Sequence, residues 1–415
     1  MFFPSCISVE IMGKCGPGGD LVPRIMGKAP VATSFFVPGY IPQFDGLRGL
    51  AILLVLIGHS GFLEELPHAG MLEYTRFGVD LFFVLSGFLI TGILTDSKGS
   101  QHYFRNFYAR RALRIWPLYY VVLFVAFVVA PLFAPSMRPT AVSTWPAFIF
   151  YAQNIVYHDI YPFGLGPTWS LAVEEQFYLT WPVFVFLLKK RTLAIVSVSL
   201  VVVSLSLRLF FHFHGAATGF VHTFTLSRLD AIAFGCLAAL WLRSPSCTFV
   251  RWRSRAYQFL GLGVAGTILA RILMHRNSSI VGYTFLAFAF TGLLGISLAS
   301  DPRSSLLGRS LSASWLRYIG RISYGIYLLH YPLFILWARF IGSLGFYQTH
   351  KLAGNLAGFA GQIALATLAA SISWRFFEEP ILRLKELFPS ASETHWPTTH
   401  QSERRKPAAA SDSRA

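Results

Sequence analysis

Charged residues are scarce in this chain. Asp, Glu, Lys and Arg together make up 13% of its 415 residues, whereas they make up about a quarter of an ordinary soluble domain. Hydrophobic residues make up 54%. This balance excludes a typical soluble globular protein and indicates a chain whose solvent is largely lipid.

Cysteine is also scarce, and its positions carry no recognisable pattern. The four residues are Cys6, Cys15, Cys236 and Cys247. They show neither C-x-x-C spacing nor a nearby histidine pattern. We therefore expect no metal site, no disulfide framework and no cysteine nucleophile.

Acidic residues are few relative to basic ones, with 19 Asp and Glu against 35 Lys and Arg and a net charge of +16. An excess of positive charge can indicate a nucleic-acid partner. The positions of the basic residues decide whether that explanation applies. They fall mainly in the gaps between apolar runs, which is the pattern of membrane-protein loops. We therefore expect a lipid bilayer as partner and no nucleic acid.

Long apolar runs are abundant. Nine are long enough to cross a bilayer as helices of roughly 17–25 residues, and a shorter run at 49–63 makes ten; the nine are 79–95, 115–133, 170–188, 193–211, 226–242, 257–274, 280–299, 319–342 and 353–374. Residues 145–157 are too short to cross and are expected to form an interfacial or re-entrant segment. The sequence predicts an all-α, polytopic helical membrane protein with about ten transmembrane helices.

The distribution of lysine and arginine predicts the topology. Loops on one side carry 15 such residues, and loops on the other side carry 4. Positive loops stay in the cytoplasm, so both termini are predicted to be cytoplasmic. The location predicted for this multi-pass protein is the cell (inner or plasma) membrane.

The two ends of the chain differ in composition from the apolar middle. Residues 1–40 contain Gly and Pro breaks without a sustained apolar core and are expected to form a flexible cytoplasmic segment. Residues 389–415 are rich in Ser, Pro, Ala, Thr and Arg, a composition that cannot bury enough surface to fold. We expect them to form a disordered cytoplasmic tail after a transmembrane domain at 41–388.

Ionisable residues inside apolar runs are candidate functional residues, because burying charge in a bilayer costs free energy. In FDGLRGLAILLVLIGHS, Arg48 lies at the cytoplasmic end and His59 lies eleven residues later, about 16 Å deeper at 1.5 Å per residue. Asp80 begins the returning helix and can reach a similar depth, so a His59–Asp80 pair is sterically possible. Glu174 and Glu175 lie near the outer end of another helix, and only one should face the same cavity as His59.

Further candidates carry more than one interpretation. Arg110, Arg111 and Arg114 cluster at the cytoplasmic end of a helix, where simple anchoring would also place them. Arg228 and Asp230 are expected to form a structural ion pair, with a role in the site as the alternative. Ser86 is either a packing residue or an acyl-carrying nucleophile, and packing is favoured. His330, near mid-bilayer, and Tyr327 are the remaining candidate functional residues.

Together these segments resemble the acyltransferase 3 family of integral membrane O-acyltransferases over residues 40–382. The resemblance rests on Arg48 with His59 and on the segments GVDLFFVLSGFLI, RRALRIWP, GPTWSLAVEEQFYLTWP, SRLDAIAFG, and ISYGIYLLHYP followed by FEEP. It implies transfer of an acyl group, often acetyl, from acyl-CoA to a hydroxyl of a carbohydrate or glycosylated acceptor. It also implies that Arg48 and His59 are essential and that Arg111 and Arg114 bind acyl-CoA.

The chemistry of these residues fits such a reaction. A sugar hydroxyl needs a positioned base, for which histidine is suited, so His59 is the expected base and Asp80 would orient it. Arginine binds phosphates such as those of coenzyme A through paired hydrogen bonds. Acyl-CoA is thus expected as co-substrate, entering from the cytoplasm, with no bound cofactor or metal.

Two other functions fit the same intramembrane charges. One is a transporter or exporter of a small polar molecule, which internal inverted repeats would favour, and none is evident. The other is a sensor that binds acyl-CoA without turnover. The identity of the carbohydrate or glycolipid acceptor cannot be read from the sequence.

Overall fold

A computed structural model of the protein describes residues 40–59, 77–133, 138–157, 162–216, 218–274, 277–343 and 351–389. Within these ranges the chain forms helices and no strand. The predicted all-α class is confirmed. The segments expected to be flexible, residues 1–40 and 389–415, lie almost entirely outside the described residues.

Fifteen helices, numbered in chain order, account for most of the described residues. They are α1 (Pro42–His59), α2 (Gly78–Ser97), α3 (Tyr103–Phe133), α4 (Arg138–Ile149), α5 (Gln153–Val156), α6 (Trp169–Leu187), α7 (Lys190–Phe213), α8 (Thr218–Thr223), α9 (Leu229–Leu242), α10 (Phe249–Met274), α11 (Ser279–Ala299), α12 (Leu306–Leu311), α13 (Ser314–Arg321), α14 (Ser323–Ser343) and α15 (Lys351–Ser373). A π-helical turn, Trp374–Glu378, continues α15 toward Leu387.

Seven of the described helices are long and apolar enough to cross a membrane: α2, α3, α7, α10, α11, α14 and α15 with its continuation. The protein is therefore a multi-pass membrane protein, but the predicted count of about ten is not confirmed. The other three expected spans are helical but less suited to crossing. Polar residues interrupt α1 and α6, and α9 has only 14 residues. The placement of both termini in the cytoplasm stays a prediction.

The segment at 145–157, expected not to cross, falls in two short helices. It comprises the end of α4, a helix of 12 residues, and α5, a helix of 4 residues. Neither approaches the length that a bilayer requires.

Helix α2 lies at the centre of the bundle. Of its most apolar 18 residues 72% are buried, against 22% for α7 and 11% for α10. A helix that is apolar on all sides and buried on all sides has protein around it. The exposed apolar faces of α7 and α10 are instead suited to contact lipid.

Glycines let α2 and α9 touch along their backbones. A Cβ on Gly87 would lie 2.0 Å from the carbonyl oxygen of Ile232, and one on Gly235 would lie 2.1 Å from that of Val84. Small residues at such crossings allow the close packing that holds membrane helices together. This contact fixes the position of α2 beside the charged residues at the start of α9.

Helix α1 is held in the same way by the short helices α12 and α13. A Cβ on Gly46 would lie 1.9 Å from the carbonyl oxygen of Leu311, and one on Gly320 would lie 1.8 Å from that of Asp45. These contacts fix the rotation of α1, and with it the direction in which Arg48 projects.

The close contact at Gly87 predicts an unusual response to alanine. Replacing a mid-helix glycine by alanine gains about 1 kcal/mol of helix propensity, but at Gly87 the new methyl would meet a backbone atom that cannot move aside. We expect Gly87→Ala to lower the melting temperature of the purified protein in detergent. The matched control is Gly282→Ala in α11, whose added Cβ has no neighbour within 4 Å among the described residues. A Gly87→Ala protein as stable as the control would contradict the contact.

Candidate active site

Five helices, α1, α2, α3, α6 and α14, surround a cavity of about 110 Å³. Six of the residues singled out from the sequence line it: Arg48, Ser86, Arg111, Arg114, Glu174 and Tyr327. The other polar groups in the wall are Ser170, Tyr178, Ser323 and Tyr324. Residues far apart in the sequence thus meet in one polar chamber inside an apolar bundle.

Three arginines make this cavity positive. Arg111 and Arg114 are three residues apart and so share one face of α3, which they turn toward Arg48 of α1. Asp45 holds Arg48 through an ion pair of 2.9 Å, and the Arg111 guanidinium lies 5.6 Å from the centre of the Tyr178 ring. Glu174 is the single carboxylate in the described wall. The chamber therefore carries a net positive charge suited to an anionic ligand.

Lys385 is a fourth basic residue beside the arginines, and the sequence analysis missed it. It lies near Arg48, Arg110, Arg111 and Arg114. Arg110 holds this end of the chain by donating a hydrogen bond of 2.9 Å to the carbonyl of Phe388. Because Lys385 follows the last apolar run, hydropathy gave no signal for its position.

Ser86 and Glu174 form a short hydrogen bond inside the cavity. The Ser86 hydroxyl donates to Glu174 Oε1 at 2.5 Å and lies 2.9 Å from the hydroxyl of Tyr178. Packing was the favoured role for Ser86, yet its side chain is a polar part of the wall and Gly87 makes the close helix contact. Tyr178 was missed, although it lies four residues after Glu174 and hence on the same helix face.

The two adjacent glutamates point in different directions, as helix geometry requires. Glu174 faces the cavity with the arginines, and His59 is not among the residues of that cavity's wall. Glu175 Oε2 instead accepts a hydrogen bond of 3.4 Å from the indole of Trp116. Its other oxygen is buried without a hydrogen-bond partner among the described residues.

His59 and His330 lie side by side just beyond the cavity, with ring centres 5.2 Å apart. Tyr331 packs against the His59 ring at 5.6 Å. His59 Nδ1 lies 2.9 Å from the carbonyl oxygen of Val55, and His330 Nδ1 lies 2.7 Å from that of Tyr327. A carbonyl oxygen only accepts, so each Nδ1 carries the proton and the Nε2 of each neutral ring carries the lone pair.

Tyr327 connects the histidine pair to the cavity. Its side chain lines the cavity and donates a hydrogen bond of 2.6 Å to the carbonyl of Pro167. Its own carbonyl accepts the Nδ1 proton of His330. His330 is fully buried, and its Nε2 has no hydrogen-bond partner among the described residues. A single turn of α14 therefore separates the arginine-lined chamber from the histidine pair.

Asp80 has a different partner from the one expected. It forms a buried ion pair of 2.8 Å with Arg228 instead of bonding His59. The reason lies in the helix contact, because Gly78 packs against Ala51 and Val55, a turn or more before His59 on α1. Asp80 lies further into the bundle than that contact and faces α9.

Arg228 and Asp230, expected to pair with each other, also have separate partners. Residues two apart at a helix start do not face each other. Asp230 pairs with Arg208 at 2.7 Å, while Arg228 pairs with Asp80 and lies over the Tyr283 ring, 3.6 Å from its centre. Arg208 is fully buried and also donates a hydrogen bond of 2.5 Å to the hydroxyl of Thr284. The cluster contains two acids and two bases, so its charge is balanced.

A sequence profile of the family described as "Acyltransferase domain" matches residues 41–375. The chain belongs to this acyltransferase family. In the part of the acyltransferase chain that the structure describes, no group of three or more His, Cys, Asp or Glu side chains could hold a metal ion.

Several relatives in the family are described as O-acetyltransferases. The chain is 31% identical over 373 residues to the peptidoglycan O-acetyltransferase OatA of Listeria monocytogenes, an alignment that covers 84% of this chain and 57% of the relative. It is 32% identical to the putative peptidoglycan O-acetyltransferase YrhL of Bacillus subtilis, covering 82% and 55%. It is 31% identical to the O-acetyltransferase OatA of Staphylococcus aureus, covering 83% and 58%. This acyltransferase chain thus spans little more than half the length of these relatives, and no solved structure matches it.

The balanced cluster predicts a large cost for breaking one ion pair. In Asp80→Asn the buried Arg228 would lose its counter-charge, which typically costs about 3–5 kcal/mol. We expect a clear fall in the melting temperature of the detergent-purified protein. The control is Asp96→Asn, which breaks the more exposed Arg243–Asp96 pair and should cost below about 1 kcal/mol. Equal effects of the two substitutions would show that the Asp80–Arg228 pair is not a buried structural contact.

Proposed function

We propose that the protein is a membrane O-acyltransferase that moves an acyl group, in the simplest case acetyl, from acyl-CoA to a hydroxyl of a carbohydrate acceptor. The observation that carries the proposal is the adjacency of a strongly positive chamber and a histidine pair whose Nε2 atoms carry the lone pairs. The first suits a phosphate-bearing donor. The second suits deprotonation of a hydroxyl. The relatives' descriptions as O-acetyltransferases support the same reaction class.

The donor would bind through its phosphates to Arg48, Arg111, Arg114 and Lys385. Arginine forms paired hydrogen bonds with phosphate, and lysine adds a point charge. A cavity of about 110 Å³ is small beside the roughly 300–1,000 Å³ of sites that enclose a whole ligand. We infer that only the thioester end of the donor enters the chamber, while the nucleotide lies among the cations at its mouth.

Glu174 would balance part of the arginines' positive charge and would hold Ser86 and Tyr178 in fixed positions in the cavity wall. Its carboxylate accepts a hydrogen bond from the Ser86 hydroxyl, and the Ser86 oxygen lies within hydrogen-bond distance of the Tyr178 hydroxyl. Because both hydroxyls already have acceptors, their role would be to hold this part of the wall rigid around the acyl group.

His59 would act as the general base. Its Nε2 takes the proton of the acceptor hydroxyl as the oxygen attacks the thioester carbonyl carbon. The carbon–sulfur bond then breaks, and the coenzyme A thiolate leaves and takes the proton from His59. His330 packs edge-on against His59 and holds that ring in place. The Val55 carbonyl, rather than Asp80, fixes its tautomer.

The acceptor would approach His59 from the side opposite the arginines. His59 ends α1, whereas Arg48 lies near the start of the same helix, so donor and acceptor groups would reach the chamber from its two ends. Because only the cytoplasm supplies coenzyme A, the acceptor is expected on the outer side. Sealed vesicles of known orientation, given acyl-CoA on one face and an impermeant acceptor sugar on either face, test this arrangement. Acylation that occurs only when acyl-CoA and the acceptor sugar share the cytoplasmic compartment would contradict entry from opposite sides.

The role of His59 predicts a large loss of activity without loss of protein. Removing a general base lowers the rate by about 10²-fold to 10⁴-fold. We expect His59→Ala to show such a fall in acyl transfer from radiolabelled acetyl-CoA, with unchanged abundance in the membrane. The matched control is His214→Ala, since His214 also bonds an i−4 carbonyl at 2.8 Å but is exposed at the end of α7. Activity of His59→Ala within a few-fold of His214→Ala would rule out the base.

The arginines predict a different kinetic signature. Arg111→Ala and Arg114→Ala should raise the KM for acyl-CoA far more than the KM for the acceptor, because they would contact the donor's phosphates. Lysine at either position should rescue only in part, since it lacks the planar guanidinium. Arg253→Ala, at an exposed position near the start of α10, should change neither value. A parallel rise in both KM values would indicate a role in folding instead of donor binding.

A further inference from the structure

A second cavity, of about 600 Å³, lies between α7, α9, α10 and α11. It shares no lining residue with the candidate active-site cavity. Most of its wall is apolar and includes Ala194, Phe234, Leu237 and Phe259. Its volume falls within the roughly 300–1,000 Å³ typical of sites for small molecules.

One end of this cavity is basic. Lys190 and Arg191 line it where α7 begins, and Arg243 lines it where α9 ends. Asp96 balances Arg243 through bonds of 2.7 and 2.5 Å. Lys190 and Arg191 are exposed and form no ion pair with any described residue. Two positive charges are therefore left at the rim.

The first turn of α7 adds to the positive potential of the rim. Lys189, its N-cap residue, makes no side-chain hydrogen bond to the free N–H groups of the first turn. Such groups and the helix dipole favour an anion at this position. Lys190 and Arg191 are the first two residues of that turn, so side chains and backbone favour the same ligand charge.

Two tryptophans mark the same end of the cavity. Trp241 and Trp252 stack with ring centres 5.2 Å apart, and the Trp252 indole donates a hydrogen bond of 2.9 Å to the Gly295 carbonyl. Tryptophan is enriched where the hydrocarbon of a bilayer meets the headgroups. The two tryptophans therefore lie where the apolar wall meets the basic rim, a position that fits the boundary between the acyl chains and the phosphate of a lipid.

We propose that this cavity binds an anionic phospholipid of the surrounding leaflet. One acyl chain occupies the apolar interior, and the phosphate lies at Lys190, Arg191 and the first turn of α7. A sugar or a free nucleotide would leave its polar groups unpaired against the apolar wall, which is costly. The opposite character of the two ends therefore selects a molecule with a long apolar part and one anionic end.

Brominated lipids provide the test, because bromine quenches tryptophan fluorescence on contact. The purified full chain in neutral detergent is titrated with phosphatidylglycerol or phosphatidylcholine brominated on the acyl chain. We expect saturable quenching by the anionic lipid at much lower concentration than by the neutral one. The quenching should be smaller in the double variant Trp241→Phe with Trp252→Phe, which lacks two of the ten tryptophans.

Charge variants test whether the basic rim binds the phosphate of the lipid. Lys190→Gln with Arg191→Gln should weaken apparent binding of the anionic lipid about 30-fold, at about fivefold per basic residue near a lipid surface. The control is Arg253→Gln with Arg255→Gln, two basic residues of α10 outside the cavity wall, which should change binding less than threefold. Ala194→Phe, which fills the interior, should abolish saturable quenching. Melting curves of each variant check that it is folded.

Three results would overturn the proposal. The first is equal quenching by the anionic and neutral lipids, and the second is an equal effect of the rim and control variants. The third is release of the brominated lipid by acyl-CoA at concentrations that saturate acyl transfer, which would make this cavity a donor site. Because the two cavities have separate walls, lipid binding and the His59 assay can fail independently.

Discussion

The free-energy cost of taking a charge out of water governs where the ionisable groups of this bundle lie. Two arginines and two aspartates are buried in the cluster of Asp80, Arg228, Arg208 and Asp230, and there each positive charge meets a negative one. The chamber of the candidate site is different: Arg48, Arg111 and Arg114 line it with one carboxylate, Glu174, and Asp45 outside the wall pairs with Arg48, so positive charge remains in excess. A structure tolerates unbalanced charge at a cost that a bound anion can offset. The imbalance therefore distinguishes the site from the scaffold.

Helix α2 connects these regions because it lies at the centre of the bundle. Asp80, in its first turn, belongs to the balanced cluster, and Ser86 lies in the chamber wall. Gly87 presses against α9, and Asp96, in the last turn, holds Arg243 at the rim of the second cavity. One buried helix thus sets the relative positions of the ion pairs, the chamber and the proposed lipid site. Its packing, more than its hydrophobicity, is what the site depends on.

The histidine pair shows how backbone groups can replace an expected side-chain partner. A carboxylate beside His59 would fix the ring but would also have to be buried with its own charge. The carbonyls of Val55 and Tyr327 fix the two rings without that cost. Both rings therefore direct an Nε2 lone pair away from the helix backbone that holds them.

The sequence by itself determined the helical class, the membrane setting, the family motifs and the residues to consider, because apolar runs and their interruptions are properties of local sequence. It also grouped Arg110, Arg111 and Arg114 at one end of a helix, because they lie within five residues of one another. Hydropathy fixes a residue's depth along a helix to within a turn or so, but not the helix's rotation or its lateral neighbours. Only the tertiary structure could therefore pair Asp80 with Arg228, place Ser86 against Glu174, bring Lys385 to the arginines and set His330 beside His59.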